Sequence, residues 1–360
     1  MRTFYTVSEG AVRPVDAVRI PHFRHGGLRY FGYGCRVITS PPTLLRRWAP
    51  AFFAAAFCAI LGGSPAHAIN INGEGPNSVT GIYDRFVVGT YPGAPVKNPT
   101  FIGSAFDLSG IGWQSTNATV GITLVSSRYF VLASHYLPGL GQAMQFFGND
   151  GTVYSANVGS LQALTYTGTG GAQTSDLTLG RFTTALPSAV TPMPIFYAGA
   201  TDISNPASFD AYNGVSLFNY GHTARMGTNN LDGFSEYSFS MGGPETNIGL
   251  VYTQGAGAGE TLLENGDSGS PTLGFRDGVY GLIGTHSGVD TPHLLSVDAF
   301  VGYTQYVNQM NAIMAADGQS VTLVGVPEPG TVLFGIALLG VCGARRVRTA
   351  RPLASPSQSR

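Results

Sequence analysis

From Ile69 to Phe300 the apolar positions fall in short runs of alternating or continuous hydrophobic residues, each broken by glycine, proline or small polar residues. That spacing predicts strands and turns rather than helices. Val120 to Leu132 reads as a strand, a Ser126-Ser127-Arg128 turn and a second strand; Val153 to Ala163 and Leu177 to Phe182 also suit strands. Gly168 to Gly171 and Gly255 to Gly259 read as loops, because clustered glycine favours neither helix nor strand. One helix is expected, over Tyr303 to Ala316, after the last strand. Outside this body the pattern changes to two continuous apolar runs, Trp48 to Leu61 and Thr331 to Gly343.

Composition supports the same reading. The 360 residues are 43% hydrophobic and 11% charged, enough apolar material for a sizeable core, and the 50 glycines and 22 prolines fit short strands joined by tight turns. The body from Ile69 to Val326, 258 residues, accommodates one large all-β domain or two fused barrels. A net charge of −1 for the whole chain hides an uneven distribution: the body carries 6 Lys and Arg against 17 Asp and Glu, and the basic residues crowd the two ends. So acidic a body has no basic patch with which to neutralise phosphates, which argues against a nucleic-acid partner. Cys35, Cys58 and Cys342 all lie outside the body, so its folding is expected to use no disulfide.

The apolar runs read as addresses. Arg46-Arg47, the run from Trp48 to Leu61 and then Ala66-His67-Ala68 have the order of a signal peptide, with cleavage expected after Ala68 by a signal peptidase. Residues 1–68 are accordingly read as a leader and 69–326 as the working domain. At the other end Val326-Pro327-Glu328-Pro329, the run from Thr331 to Gly343 and Arg345-Arg346 follow one another. This resembles the PEP-CTERM sorting signal of Gram-negative bacteria, which implies an exosortase-type sorting enzyme as a partner and release at the cell surface or into the extracellular matrix. At roughly 1.5 Å per residue the run is short for a spanning helix, so a transient membrane anchor over 327–360 is expected. The chain continues past the arginines to Arg360, where such signals usually stop.

The chemistry concentrates in Gly266-Asp267-Ser268-Gly269-Ser270-Pro271. An alcohol is a weak nucleophile, so a catalytic serine needs a base beside it and N–H donors for the oxyanion that forms. The segment resembles the active-serine motif of trypsin-like, chymotrypsin-fold serine peptidases, with Ser270 in place of the second glycine. An α/β-hydrolase elbow fits less well: it ends in glycine and opens a helix, which Pro271 opposes. Tyr129 to Ala133 running into Ser134-His135 is similar to that family's strand before its base, and Ser175-Asp176-Leu177-Thr178-Leu179 is similar to its aspartate signature. The order His, Asp, Ser and the separations of 41 and 92 positions fit as well.

The resemblance covers roughly Gly103 to Gln309 and implies an all-β double barrel with a C-terminal helix. It also implies His135, Asp176 and Ser268 as a catalytic triad, with Asp150 as the reserve aspartate, and an oxyanion hole formed by the N–H groups of Gly266 and Ser268. Carried over position by position, it places Leu262 at the floor of the specificity pocket, with Gly284, Thr285 and His286 along its wall, leaving open a preference for apolar, small or acidic side chains. Cleavage after Ala68 would also expose an Ile69 amine to pair with Asp267.

The expected activity is therefore that of an exported serine endopeptidase acting on protein or peptide substrates through an acyl-enzyme. The competing readings are a catalytically idle protease fold that binds in the extracellular matrix, and an esterase sharing the chemistry. The body's histidines show no ligand spacing and no phosphate-cradling loop joins a strand to a helix, so neither metal nor nucleotide cofactor is expected.

Overall fold

The computed structural model describes residues 69–74, 79–168, 170–239 and 245–325. The leader, the sorting tail and all three cysteines lie outside the described residues. Among the described residues no helix is long and apolar enough to cross a membrane.

The described residues begin with β1 (Asn70–Ile71) and turns, then build a closed barrel from six antiparallel strands. These are β2 (Ile111–Gln114), β3 (Asn117–Leu124), β4 (Tyr129–Ala133), β5 (Ala143–Phe147), β6 (Val153–Gly168) and β7 (Gly171–Phe182). Closure runs in the order β2-β3-β4-β7-β6-β5, which leaves no free edge. The expected Ser126 turn joins β3 to β4, and the expected loop at Gly168 is the tight end of the long β6–β7 hairpin. Ile122, Leu124, Phe130, Leu132, Phe146 and Phe182 fill the barrel, with the Phe130 and Phe182 rings stacked at 4.4 Å.

A connecting strand, β8 (Ile195–Tyr197), leads into the second half. There β9 (Ser216–Tyr220), β10 (Met226–Asn230), β11 (Gly233–Phe239), β12 (Glu245–Thr253), β14 (Pro271–Arg276), β15 (Val279–Asp290) and β16 (Leu295–Phe300) share a nine-stranded sheet with β8 and β17 (Leu323–Gly325). The short β13 (Thr261–Leu262) pairs instead with β1. Helix α1 (Thr304–Met314) follows, one or two residues shorter at each end than the sequence predicts; Tyr306, Val307, Met310 and Met314 are its buried face. It is prolonged by a 3-10 turn whose Asp317 binds Arg181 on β7 at 2.6 Å and the Tyr129 hydroxyl at 2.7 Å, tying this helix back to the barrel.

The fold is therefore all-β, a closed six-stranded barrel followed by a nine-stranded sheet and a C-terminal helix. It presents the barrel's β4 and β7 to the second half, whose β15 packs against β4 and whose β12 packs against β7.

Candidate active site

Three elements meet where the two halves touch. β4 ends at Ala133, and the chain turns so that the Ser134 N–H donates to the Asp176 carbonyl at 3.0 Å and the Ser134 hydroxyl to the Ser175 carbonyl at 3.1 Å. His135 is thereby held at the strand end against its neighbour β7. Its backbone N–H donates to Asp176 Oδ1 at 2.8 Å, and its ring Nδ1 lies 2.7 Å from Asp176 Oδ2. The other ring nitrogen, Nε2, lies 2.8 Å from the Ser268 hydroxyl. The structure thus brings together all three residues expected from the sequence. Asp150, the reserve aspartate, caps its own turn instead, accepting from the Thr152 N–H at 3.0 Å and the Tyr154 hydroxyl at 2.7 Å.

Ser268 sits on two consecutive turns. The Asp267 N–H donates to the Glu264 carbonyl at 3.1 Å, and the Ser270 N–H donates to the Asp267 carbonyl at 2.9 Å. Gly266 and Gly269 have φ of 103° and 85°, a region costly for any residue with a Cβ, so the glycines flanking Asp267-Ser268 are needed for the backbone path. Close approach adds a second reason at Gly269, where a Cβ would come within 2.5 Å of the Gly121 carbonyl on β3. Among the described residues the N–H groups of Gly266 and Ser268 have no acceptor, while those of Asp267, Gly269 and Ser270 do. Two unspent donors beside a serine hydroxyl are what an oxyanion site requires.

Asp176 is 2% exposed at its side chain and His135 11%, so the carboxylate is withdrawn from water while the imidazole keeps an open edge. The sequence reading missed two residues that hold Asp176, one at its carboxylate and one at its backbone. The Ser287 hydroxyl donates to Asp176 Oδ2, and the side-chain carbonyl of Asn247 accepts the Asp176 N–H. Both come from the second half, so an aspartate of the barrel is clamped by β15 and β12. Nothing local in the sequence marks Asn247, whereas Ser287 directly follows Gly284, Thr285 and His286, the expected pocket wall.

That wall requires correction. Thr285 and His286 are fully buried, and Gly284 is packed so that a Cβ there would lie 2.7 Å from Asp298. His286 Nδ1 faces Asp298 Oδ1 at 2.8 Å and its Nε2 faces the Tyr220 carbonyl at 3.1 Å, so the ring is spent inside the sheet. The register of β15 against β16 shifts between His286 and Gly288, which brings the half-buried Gly288 and Val289 to the surface beyond the bulge. Leu262 is buried on β13 opposite Asn70.

No protein-family model matches the chain, and no curated protein matches it. Among solved structures the chain is similar to the NS6 protease from murine norovirus 1, at 16% identity and a TM-score of 0.33, over 53% of this chain and 89% of that one. An inactive mutant of the same viral protease, extended to include residue P1 prime of NS7, aligns at 16% identity and a TM-score of 0.34, covering 53% and 96% of the two chains.

Proposed function

We propose that the protein is a serine endopeptidase, and the observation that carries the reading is the unbroken relay from Asp176 through His135 to the Ser268 hydroxyl, with bonds of 2.7 and 2.8 Å. In this reading Ser268 Oγ attacks the scissile carbonyl while His135 Nε2 takes its proton. Asp176 accepts from Nδ1–H, which fixes the tautomer and stabilises the imidazolium. The N–H groups of Gly266 and Ser268 receive the oxyanion. The leaving amine then takes the proton from Nε2–H, and water repeats the sequence to free the acyl group from Ser268.

A peptide substrate fits better than a buried small molecule, because the relay lies at the junction of two halves rather than inside either core. In this reading the enzyme is exported from a Gram-negative cell, anchored transiently in the inner membrane and then sorted to the surface by an exosortase-type enzyme; the leader and tail motifs of the sequence are what support it. The acidic body is suited to remaining soluble there.

The experiment is to express residues 69–326 and compare wild type with Ser268→Ala, both shown to be folded, for labelling by a fluorophosphonate and for cleavage of casein. Labelling and cleavage in the wild type alone are expected. A folded wild type that neither labels nor cuts leaves the matrix-binding module as the reading, and labelling with hydrolysis of simple esters only leaves the esterase.

A further inference from the structure

Asp267, the residue before Ser268, carries a carboxylate that is 1% exposed. Its Oδ2 accepts the Glu264 N–H at 2.9 Å, and its Oδ1 is held entirely by one other residue. The His222 backbone N–H donates to Oδ1 at 2.9 Å, and His222 Nδ1 faces the same oxygen at 2.8 Å. Among the described residues His222 is the basic side chain paired with Asp267, and it too is buried, 3% exposed at its side chain. The ring also lies against Gly266: a Cβ there would come 3.2 Å from His222 Cε1 and 3.3 Å from Nδ1. One imidazole therefore touches the glycine whose N–H is unspent and binds the aspartate that separates it from Ser268.

His222 is itself firmly placed. It sits in the turn between β9 and β10, closed by Gly221 N–H to the Arg225 carbonyl at 2.8 Å and by Ala224 N–H to the Gly221 carbonyl at 3.0 Å. Arg225 pairs with Asp84 at 3.3 Å, which fastens the turn to the segment before the barrel. Ile69 is packed close by, since a Cβ on Gly221 would meet Ile69 Cβ at 2.8 Å and Asp267 Oδ1 at 2.9 Å. Oδ1 is nevertheless already taken by His222.

We propose that His222 is the positioning residue of the oxyanion site: by binding the buried Asp267 carboxylate it locks the Gly266–Ser268 turn with both N–H groups presented to substrate. The proposal rests on the serine-peptidase reading. Its physical ground is that a buried carboxylate stripped of its partner either takes up a proton or turns toward water. Either change releases the turn in which Gly266 and Ser268 sit. Because the lock is internal to the folded chain, it does not require a free amine at Ile69.

The test uses fluorophosphonate reactivity and steady-state peptide hydrolysis on folded protein. His222→Ala is expected to lose about 10²-fold in kcat with KM nearly unchanged, the size of effect of losing an oxyanion donor. His222→Asn and His222→Gln separate positioning from mere packing. The asparagine amide nitrogen falls where Nδ1 lies and restores kcat to within about tenfold, whereas the glutamine nitrogen reaches past it and leaves kcat low. The pair decides the matter even if His222→Ala does not fold. Chain extended upstream of Ile69 is expected to be as active as chain that begins there. Equal kcat for the asparagine and glutamine variants, a loss confined to KM, or activity only when Ile69 is the first residue overturns the proposal. A wild type unreactive to fluorophosphonate removes the peptidase reading as well, whereas a reactive wild type matched in rate by His222→Ala removes this proposal alone.

Discussion

Two imidazole–carboxylate pairs, one at the edge of the barrel and one inside the second sheet, have nearly the same bond and opposite uses. His135 Nδ1 lies 2.7 Å from Asp176, and His286 Nδ1 lies 2.8 Å from Asp298. The difference lies at the other nitrogen. His135 Nε2 faces the hydroxyl of Ser268, which can donate, so the neutral ring can accept there and act as a base. His286 Nε2 faces the Tyr220 carbonyl, which only accepts, so that nitrogen must carry a proton. Asp298 also accepts from Thr272 and from the Tyr252 hydroxyl, and so acts as a carboxylate toward Nδ1. Burial alone would lower the His286 pKa, but the charge of Asp298 and its hydrogen bond outweigh burial and leave it raised. In the proposed reading the first pair passes a proton on, whereas the second keeps one.

The sharpest way to break this contrast is to delete each imidazole. His135→Ala is expected to lower kcat by about 10⁶-fold, as is Ser268→Ala, and the double variant is no worse because the two act as one unit. Asp176→Asn, which keeps the geometry and favours the wrong tautomer, costs about 10⁴-fold. His135→Ala also destabilises, because it leaves the buried Asp176 carboxylate without its imidazole, whereas Ser268→Ala alone should not move the midpoint of chemical denaturation by much. His286→Ala should do the reverse: it leaves a buried carboxylate unpaired, at a cost of about 3–5 kcal/mol in denaturation, while the molecules that remain folded turn over near the wild-type rate. A kcat collapse in folded His286→Ala would show that the second pair also belongs to the chemistry.

A smaller effect sharpens the contrast from within the His135–Asp176 pair. Asp176 differs from Asp298 in being held across the junction, by Ser287 and Asn247. Removing a hydrogen bond to a carboxylate costs about 2 kcal/mol, so Ser287→Ala is expected to lower kcat roughly thirtyfold with KM little changed. An unchanged kcat would mean that His135 alone keeps Asp176 in place.

The sequence made the convergence of His135, Asp176 and Ser268 legible and the sealed pairs illegible, for a physical reason. His135, Asp176 and Ser268 each sit at the end or beginning of a short motif whose neighbours are dictated by the same geometry: Ala133 closes a strand, Leu177 opens a buried one, and Gly266 and Gly269 supply positive φ. All-β architecture and helix α1 were equally readable, since both leave their period in the apolar positions. His222 and Asn247 carry no such local mark, because their roles come from partners 45 and 71 positions away. Gly284, Thr285 and His286 lie on the sealed stretch of β15 before the bulge, whereas Gly288 and Val289 beyond it are half-buried, and sequence spacing alone does not tell the two stretches apart. The leader and tail, legible as addresses, fall outside the described residues.

The finest test of the contrast is the pH dependence of stability. The His286 pKa is raised in the folded chain above an unfolded value near ~6.5, so its contribution is fully present below that pH and is lost as pH rises through the raised value. Across that window the folded state binds a proton that the unfolded state has released. Stability attributable to this group therefore falls with rising pH, by at most about 1.4 kcal/mol per unit. Asp317 runs the opposite way. Hydrogen bonds from Arg181 and Tyr129 hold its carboxyl below the usual range, so its contribution is present above an unfolded value near ~3.9 and fades as the medium turns acid. Urea denaturation of wild type, His286→Gln and Asp317→Asn across pH separates the two limbs by difference. The gap between wild type and His286→Gln should narrow from pH 6 toward alkaline pH, and the gap to Asp317→Asn should narrow from pH 5 toward acid. A wild-type minus His286→Gln difference that is flat with pH would mean that His286 holds no proton of its own, and that the sealed pair is ordinary hydrogen bonding between neutral groups.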